Sequence, residues 1–351
     1  MRRLSLVVLL LVVLAGAAWY ALYARLTTPY RRDAESGQSV EIPSGLGTRA
    51  IGARLVAAGV VRDELTYRVA LWLSGDARRL QAGEYRFDRP MTPAEVIGKI
   101  ARGEMERVRV TFPEGLTIAE MATIFESSGL GSGDDFLAAA KEVLLIAADD
   151  PAARNLEGYL FPDTYALSPH AAAADLVRLM IDRFRTVATD ALLGEAHARG
   201  WTLRQMITLA SLVEKETGRP EERPIIASVY GNRLRIGMGL QCDPTVIYAL
   251  QLAGKYTGNL RRDDLMYDSP YNTYRYPGLP PGPIAAPGRT SIEAVLHPAA
   301  ADYLYFVSRN DGSHEFARTL AEHNRNVQKY QVQYFRDRRA GRTGPPGRAG
   351  K

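Results

Sequence analysis

Cysteine is the scarcest residue of this sequence. The 351 residues contain a single one, Cys242, which excludes an intramolecular disulfide framework and any metal site built from several thiolates. Histidine is also rare, and the five histidines, at positions 170, 197, 297, 314 and 323, show no metal-ligand spacing. An HExxH motif is absent as well. The sequence therefore predicts no bound metal.

The motifs of several large enzyme classes are missing too. There is no GxxxxGK phosphate loop and no GxSxG nucleophile elbow, so the sequence predicts no cofactor. What remains is a set of carboxylates, amides and aromatic rings, a combination typical of carbohydrate chemistry. The formal net charge of +5 favours anionic partners such as a membrane surface, a cell-wall polymer or nucleic acid, without choosing among them.

The N-terminus carries a long hydrophobic run. From Leu4 to Tyr23 the chain has no charged residue, and about 20 helical residues span the roughly 30 Å hydrocarbon core of a bilayer. Trp19, Tyr20 and Tyr23 lie at its far end, as in an aromatic belt. We expect residues 1–30 to be a retained membrane anchor. The small residues Ala15-Gly16-Ala17 leave a cleaved signal peptide as the alternative.

The charges around this run do not decide its orientation. Arg2 and Arg3 precede it, and Arg25, Arg31 and Arg32 follow it, so the positive-inside rule is close to a tie. We favour a cytoplasmic N-terminus and an exported body, because the chemistry that the later motifs indicate has its substrate outside the cytoplasmic membrane.

An internal repeat follows at an offset of 70 residues, after a short polar linker. Val40–Leu46 aligns with Val110–Leu116, and each copy reads as a short strand, a Pro-Gly turn, an amphipathic helix and a glycine stop. Leu80–Phe87 reads as another strand, and a helix opens at Met91–Pro93. Residues 38–145 are thus predicted to form a small α+β region that resembles LysM-like carbohydrate-binding modules. A spacer without affinity for sugar is the alternative.

The rest of the chain predicts a second α+β domain over residues 150–335. The tail, residues 336–351, is rich in Arg, Gly and Pro and is expected to be disordered. The predicted elements of the domain are helices over Leu176–Val187, Thr202–Thr217 and Pro224–Ile236, a buried strand over Tyr303–Val307 and a turn at Asn310–Gly312.

The end of the second of these helices carries the sharpest chemical candidates. Glu214 and Glu216 lie in the sequence SLVEKETG, at the borders of the apolar stripe. An exposed glutamate has a pKa of about 4.3 and holds no proton at neutral pH, whereas a glutamate in an apolar cleft can act as an acid and then as a base. Two residues apart, they lie about 200° apart around the helix and cannot face one cleft. Periodicity leaves open which one does.

Two later segments supply groups suited to sugars. Gln241 and Asp243 follow a helix in a tight turn, and Asn272 and Tyr274 lie in the sequence SPYNTY. Aromatic faces beside amides suit stacking on sugar rings and hydrogen bonding to them. The loop Gly278–Ile284 has three prolines that would stiffen a groove wall. Each segment alone could be a turn or a cap; together they favour a carbohydrate groove.

Several motifs in fixed order resemble the endolytic murein transglycosylase family, also called YceG-like. The matching segments are LEGYLFPDTY (156–165), ASLVEKET (210–217), VYGNRLRIGMGLQCDPTVIYAL (229–250), SPYNTY (269–274), GLPPGPIAAPG (278–288), YLYFV (303–307), His314-Glu315-Phe316 and Glu322-His323-Asn324. The resemblance covers residues 38–335. It implies an α+β fold with an N-terminal transmembrane helix, a small LysM-like region and a YceG-like catalytic domain.

The resemblance also implies a reaction and a set of site residues. The family cleaves the bond between N-acetylmuramic acid and N-acetylglucosamine within a strand, leaves a 1,6-anhydro end and uses one glutamate as acid and then base. That glutamate lies in EKET, where we expect Glu216 first and Glu214 second. Cys242 stands where a small polar residue is more usual. The residues expected to line the groove are Gln241, Asp243, Asn272, Tyr274, His314 and His323.

The implied partners are peptidoglycan glycan strands, the cytoplasmic membrane and, near the synthesis machinery, penicillin-binding proteins. Nucleic acid is not expected, since an exported body does not meet it. Two rival functions remain. A hydrolytic muramidase would need a second essential carboxylate, for which Asp243 is the candidate. A non-catalytic peptidoglycan-binding scaffold would need neither glutamate.

Overall fold

A computed structural model describes residues 2–30 and 37–339 of the chain. The fold is α+β, as predicted, and about half of the chain is helical. The chain forms two compact units: unit 1 comprises Met1–Val108 and Ala166–His170, and unit 2 comprises Arg109–Tyr165 and Ala171–Lys351.

Unit 1 begins with the predicted hydrophobic helix. Helix α1 (Arg2–Thr27) contains the stretch Leu6–Thr27, which has a mean hydropathy of 2.4 and no buried residues. By length and composition it could cross a bilayer. The predicted linker falls largely on residues 31–36, which lie outside the described residues.

The core of unit 1 is a small sheet covered by helices. Val40 pairs with Tyr85 in the antiparallel sheet, and both side chains are buried together with Leu55 and Ile97. The alternating pattern of β1 turns one face of the strand inward, as expected for a two-stranded sheet with one packed face. The elements are β1 (Gln38–Ile42), α2 (Thr48–Ala57), α3 (Glu64–Ser74), β2 (Gly83–Phe87) and α4 (Pro93–Ala101).

The two repeat copies have the same local structure but belong to different units. The first copy is β1, a turn and α2; the second is β3 (Val108–Thr111), a turn and α5 (Ile118–Ser127). Each helix is followed by a glycine in the left-handed region, Gly59 with φ 71° and Gly129 with φ 77°. The units divide at Val108, not near residue 145, because the turn of the second copy exchanges backbone hydrogen bonds with Ala286 in unit 2. The LysM-like character of the first region stays a prediction.

Unit 2 is mostly helical. Two further two-stranded sheets are formed by β3 with β4 (Thr164–Leu167) and by β5 (Tyr305–Ser308) with β6 (His314–Ala317), the second of them within unit 2. The helices that follow α5 are α6 (Gly133–Ala139), α7 (Ala173–Val187), α8 (Asp190–Ala198), α9 (Leu203–Glu216), α10 (Arg223–Arg235), α11 (Asp243–Leu252), α12 (Arg289–Leu296), α13 (Leu320–Val327) and α14 (Tyr334–Arg339).

Helix α9 lies at the centre of unit 2, packed against α10 and α12. Thr202 caps it in a capping box with Gln205, and the helix ends where Thr217 turns extended, before a 3-10 turn at Pro220–Glu222. Every residue from Met206 to Val213 is buried. The three helices predicted from periodicity are confirmed, and no end differs by more than three residues.

Two expectations for the C-terminal part were wrong. The strand β5 is only half-buried along its length, because one side of its hairpin lines an open cavity. Disorder from residue 336 onward was also wrong for residues 336–339, which belong to α14. Residues 340–351 lie outside the described residues. The predicted turn is confirmed as the tip of the β5–β6 hairpin, where Asn310 has φ 66° and Gly312 has φ 84°.

Candidate active site

A cavity of about 470 Å³ lies in unit 2, at the C-terminal end of α9. The side chain of Glu216, the last residue of this helix, lines it. The other walls come from the loop before α11, the β5–β6 hairpin and the segment from α13 onward. Besides Glu216, the lining residues are Arg233, Leu240, Gln241, Asp243, Tyr274, Phe306, Val307, Ser308, His314, His323, Val327 and Gln331.

Glu216 has the surroundings of a proton-holding carboxyl. Burial raises its pKa, although hydrogen bonds from the Tyr230 hydroxyl, at 2.6 Å from Oε1, and from the Cys242 thiol oppose the shift. The nearby Asp243 charge raises the pKa further, while a positive charge on the His314 ring would lower it. A position at the negative end of the α9 dipole acts in the same direction as burial. The net result is a carboxyl that gives and takes a proton nearer to neutral pH.

The two donors keep their protons beside Glu216. Burial raises the pKa of the Tyr230 phenol and of the Cys242 thiol well above their usual values, so both remain neutral. The Cys242 thiol is thus one of two hydrogen-bond donors to the candidate acid.

Glu214 points away from this cavity. Its carboxylate accepts hydrogen bonds from Arg223 Nη2 at 2.7 Å, from the Gly288 backbone N–H at 3.0 Å and from Ser291 Oγ at 2.7 Å. These donors belong to α10 and to the start of α12, which pack on that side of α9. The carboxylate holds three helices together and has no access to a substrate in the cavity.

Gln241, Asp243 and Tyr274 come together because two loop segments bind each other. The backbone N–H of Gln241 donates to Thr273 O at 3.2 Å, and that of Cys242 donates to Thr273 Oγ1 at 3.0 Å. Gln241 has φ 50°, in the left-handed region that few residues other than glycine adopt. The Tyr274 hydroxyl then donates to Asp243 Oδ1 at 2.6 Å, so this cavity carboxylate already has a strong partner.

Asn272 does not reach the cavity. Its side chain is completely buried and donates to Leu265 O at 3.0 Å and to Tyr267 O at 2.7 Å. Its Oδ1 accepts the backbone N–H of Tyr274 at 3.0 Å. The expectation that Asn272 lines the groove is therefore not met: all its hydrogen-bonding capacity goes into shaping the loop that carries Tyr274.

His314 and His323 both line the cavity, from the hairpin and from α13. His314 Nδ1 lies 2.7 Å from Glu222 Oε2. The His323 ring stacks on Tyr305, with centroids 5.2 Å apart, and its buried Nδ1 has no partner among the described residues. Burial and the nearby Arg233 charge lower the pKa of His323, so it is neutral at neutral pH.

Comparisons with known proteins identify the family of this chain. The family model of the YceG-like family matches residues 40–329. The chain belongs to the YceG-like family. An endolytic murein transglycosylase of Bacillus subtilis (strain 168) is 34% identical over 334 residues, which cover 91% of each chain. One of Streptococcus pneumoniae serotype 2 (strain D39) is 29% identical over 359 residues, which cover 93% of this chain and 64% of that protein.

A solved structure agrees with the fold of this YceG-like protein. The crystal structure of a yceG-like protein from Listeria monocytogenes has a TM-score of 0.57 and 30% identity, over 82% of this chain and 98% of that one. The resemblance seen in the motifs is thus confirmed at the level of family and fold.

The sequence did not predict four residues that shape this site. No role in it was predicted for Tyr230, Arg233 or Glu222, and Cys242 was noted only as a departure from the family pattern. Arg233 is buried and donates to Leu304 O and Leu240 O, both at 2.6 Å, which ties the hairpin to the loop. No local pattern identifies such contacts, because the partners lie far apart in the chain. Among the described residues there is no cluster of three or more potential metal ligands.

Proposed function

We propose that this YceG-like protein is an endolytic murein transglycosylase in which Glu216 is the general acid and then the base. The observation that carries the proposal is the environment of Glu216: one half-buried carboxyl with a raised pKa, held by two neutral donors, at the wall of an open cavity. The names of the relatives from Bacillus subtilis and Streptococcus pneumoniae support the same substrate, peptidoglycan.

The proposed chemistry needs one proton and no water. Protonated Glu216 donates its proton to the glycosidic oxygen as the bond from the muramic acid C1 to that oxygen breaks. The O6 of the same muramic acid forms a new bond to C1, and the Glu216 carboxylate takes the O6 proton. The products are a 1,6-anhydro-muramic acid end and a free 4-hydroxyl on N-acetylglucosamine, and Glu216 is protonated again.

Gln241, Asp243, Tyr274, His314 and His323 are proposed to hold the sugars in this cavity. Asp243 also carries the rival function, because a second carboxylate in the same cavity could activate water. Its 2.6 Å hydrogen bond from Tyr274 argues for a fixed binding role instead.

A digest of purified peptidoglycan by the full chain in detergent tests the proposal, with products identified by mass spectrometry. Anhydro ends resist borohydride reduction and are lighter by one water than the reducing ends left by hydrolysis. We expect anhydro ends from the wild type and none from Glu216→Gln. Asp243→Asn should give the same anhydro ends in a smaller amount. Reducing ends that vanish in Asp243→Asn would establish a muramidase; binding without cleavage would establish a scaffold.

The location is part of the proposal. Helix α1 is proposed to cross the cytoplasmic membrane once, with unit 2 and the part of unit 1 that follows α1 on the outer side, where the substrate is. Added protease should then degrade this part of the chain in spheroplasts, and resistance until lysis would contradict the orientation. Glycan binding by the LysM-like region and a partnership with penicillin-binding proteins stay predictions from the family resemblance.

A further inference from the structure

Glu222 is a buried carboxylate with three contacts around the cavity. It lies in the 3-10 turn that joins α9 to α10. Its Oε1 accepts the backbone N–H of His314 at 2.9 Å, and its Oε2 lies 2.7 Å from Nδ1 of the same histidine. Oε2 also accepts the Thr217 hydroxyl at 3.2 Å. One side chain thus ties the residue after Glu216 to the first residue of β6.

These contacts fix the His314 ring in place. The ring packs edge-on against Phe306, with centroids 5.4 Å apart at an interplanar angle of 88°. With Nδ1 held by Glu222, the other nitrogen, Nε2, is the one that remains for the cavity, and no group among the described residues bonds it.

An ionised carboxylate only accepts hydrogen bonds, so the Nδ1 that faces it must carry the hydrogen. In the neutral ring, Nε2 then presents a lone pair to the cavity. We infer that Glu222 is a positioning residue: it fixes the tautomer of His314 so that Nε2 accepts a hydrogen bond from a sugar hydroxyl bound beside Glu216. This inference rests on the proposed function for its substrate.

A glutamine at position 222 separates this role from a merely structural one. The backbone N–H of His314 is always a donor and needs the amide oxygen, which leaves the amide NH₂ facing Nδ1. Two donors then oppose each other unless the ring proton moves to Nε2. Glu222→Gln therefore keeps the shape and most contacts but reverses the tautomer. Nε2 becomes a donor and can no longer accept from the sugar.

The experiment uses the full chain in detergent, labelled with ¹⁵N-histidine, and His314→Gln assigns the His314 signals. The neutral ring of the wild type should show a protonated Nδ1, and that of Glu222→Gln a protonated Nε2. Formation of anhydro product by Glu222→Gln should fall about 10–100-fold, by analogy with the loss of a group that orients a metal-binding histidine. In the His314→Gln background the same change should have no further effect on the rate.

Three results would overturn the inference. These are a protonated Nε2 in the neutral ring of the wild type, an unchanged tautomer in a folded Glu222→Gln variant, and a Glu222→Gln effect that multiplies with that of His314→Gln. The wild-type tautomer decides the matter even if the variant fails to fold. Absence of anhydro product from the wild type would instead refute the proposed function, and the tautomer measurement would still stand.

Discussion

The Tyr230 hydroxyl donates a hydrogen bond of 2.6 Å to Glu216 Oε1. The donor belongs to α10 and the acceptor to the last residue of α9, so the contact depends on the packing of these two helices. The hydrogen bond stabilises the ionised carboxylate, and burial destabilises it. The raised pKa of Glu216 is the balance of the two, which makes it adjustable by single substitutions.

Tyr230→Phe should move the alkaline limb of the activity profile to higher pH. Without the hydroxyl, the ionised form of Glu216 loses its stabilising donor, so its pKa rises further and the acid form persists to higher pH. The measurement is kcat/KM for anhydro product against pH. Tyr165→Phe is the matched control, because that hydroxyl donates to Phe161 O, away from the cavity, and its limb should not move. A limb that stays or moves to lower pH in Tyr230→Phe contradicts the assignment.

Glu216→Gln and Glu214→Gln should separate activity from stability. Glu216→Gln removes the proton donor, so the rate should fall about 10²–10⁴-fold while the melting temperature holds or rises. Glu214→Gln leaves the buried Arg223 without its closest anionic partner and should cost about 3 kcal/mol of stability. Product formation and thermal melting of both variants check this. Loss of activity in a folded Glu214→Gln variant, with Glu216→Gln still active, would reverse the assignment.

The contrast between these two glutamates shows which features of the site the sequence predicts and which it does not. Thr202, a residue type that caps helices, and the sequence Gly218-Arg219-Pro220, which ends them, predict the bounds of α9 closely, because caps and breakers act within a few residues. The helical periodicity also predicts that the Glu214 and Glu216 side chains point to different sides of α9. Which one faces a cavity depends on Arg223, Gly288 and Ser291, which bind Glu214 from two other helices. Local sequence carries no information on that packing.

Side chains with several possible partners are where the predictions for the site fail. An asparagine beside tyrosines fits a sugar groove, yet Asn272 satisfies three backbone groups instead, because a buried loop must pair its own N–H and C=O groups first. Glu222 and His314 are 92 residues apart, and no spacing rule links them. The family resemblance predicted His314 as a site residue, but its contact with Glu222 could be found only from the fold.

Gly158→Ala should destabilise unit 2 far more than Gly254→Ala. Both glycines are left-handed, with φ of 80° and 65°, so alanine carries a backbone cost of about 1 kcal/mol at each. A Cβ at Gly254 meets nothing within 4 Å, whereas one at Gly158 would lie 2.4 Å from Pro283 Cβ. Overpacking adds roughly 1–3 kcal/mol. Equal melting temperatures for the two variants would contradict the close contact between the LEGY segment and the proline loop.

Glu157 should make the stability of unit 2 fall as the pH rises from about 4.5 to 7. Burial raises the pKa of this carboxyl from 4.5 to about 7, against hydrogen bonds from the Ile118 N–H and the Tyr248 hydroxyl. The folded state therefore binds the proton more tightly than the unfolded state. The resulting stability is complete below pH 4.5 and is lost as the pH passes 7.

Glu157→Gln should remove this dependence, because a glutamine oxygen can still accept from Ile118 while its NH₂ faces the Tyr248 oxygen, and neither group ionises. The stability of the variant relative to the wild type should increase by up to about 3 kcal/mol between pH 5 and pH 8. Thermal melting of both proteins at the two pH values measures the change. All titratable groups other than Glu157 are present in both proteins, so their contributions cancel in the difference. A stability difference that stays constant with pH would mean that Glu157 is already ionised in the folded protein. The carboxylate would then need a compensating charge that the described residues around it do not supply.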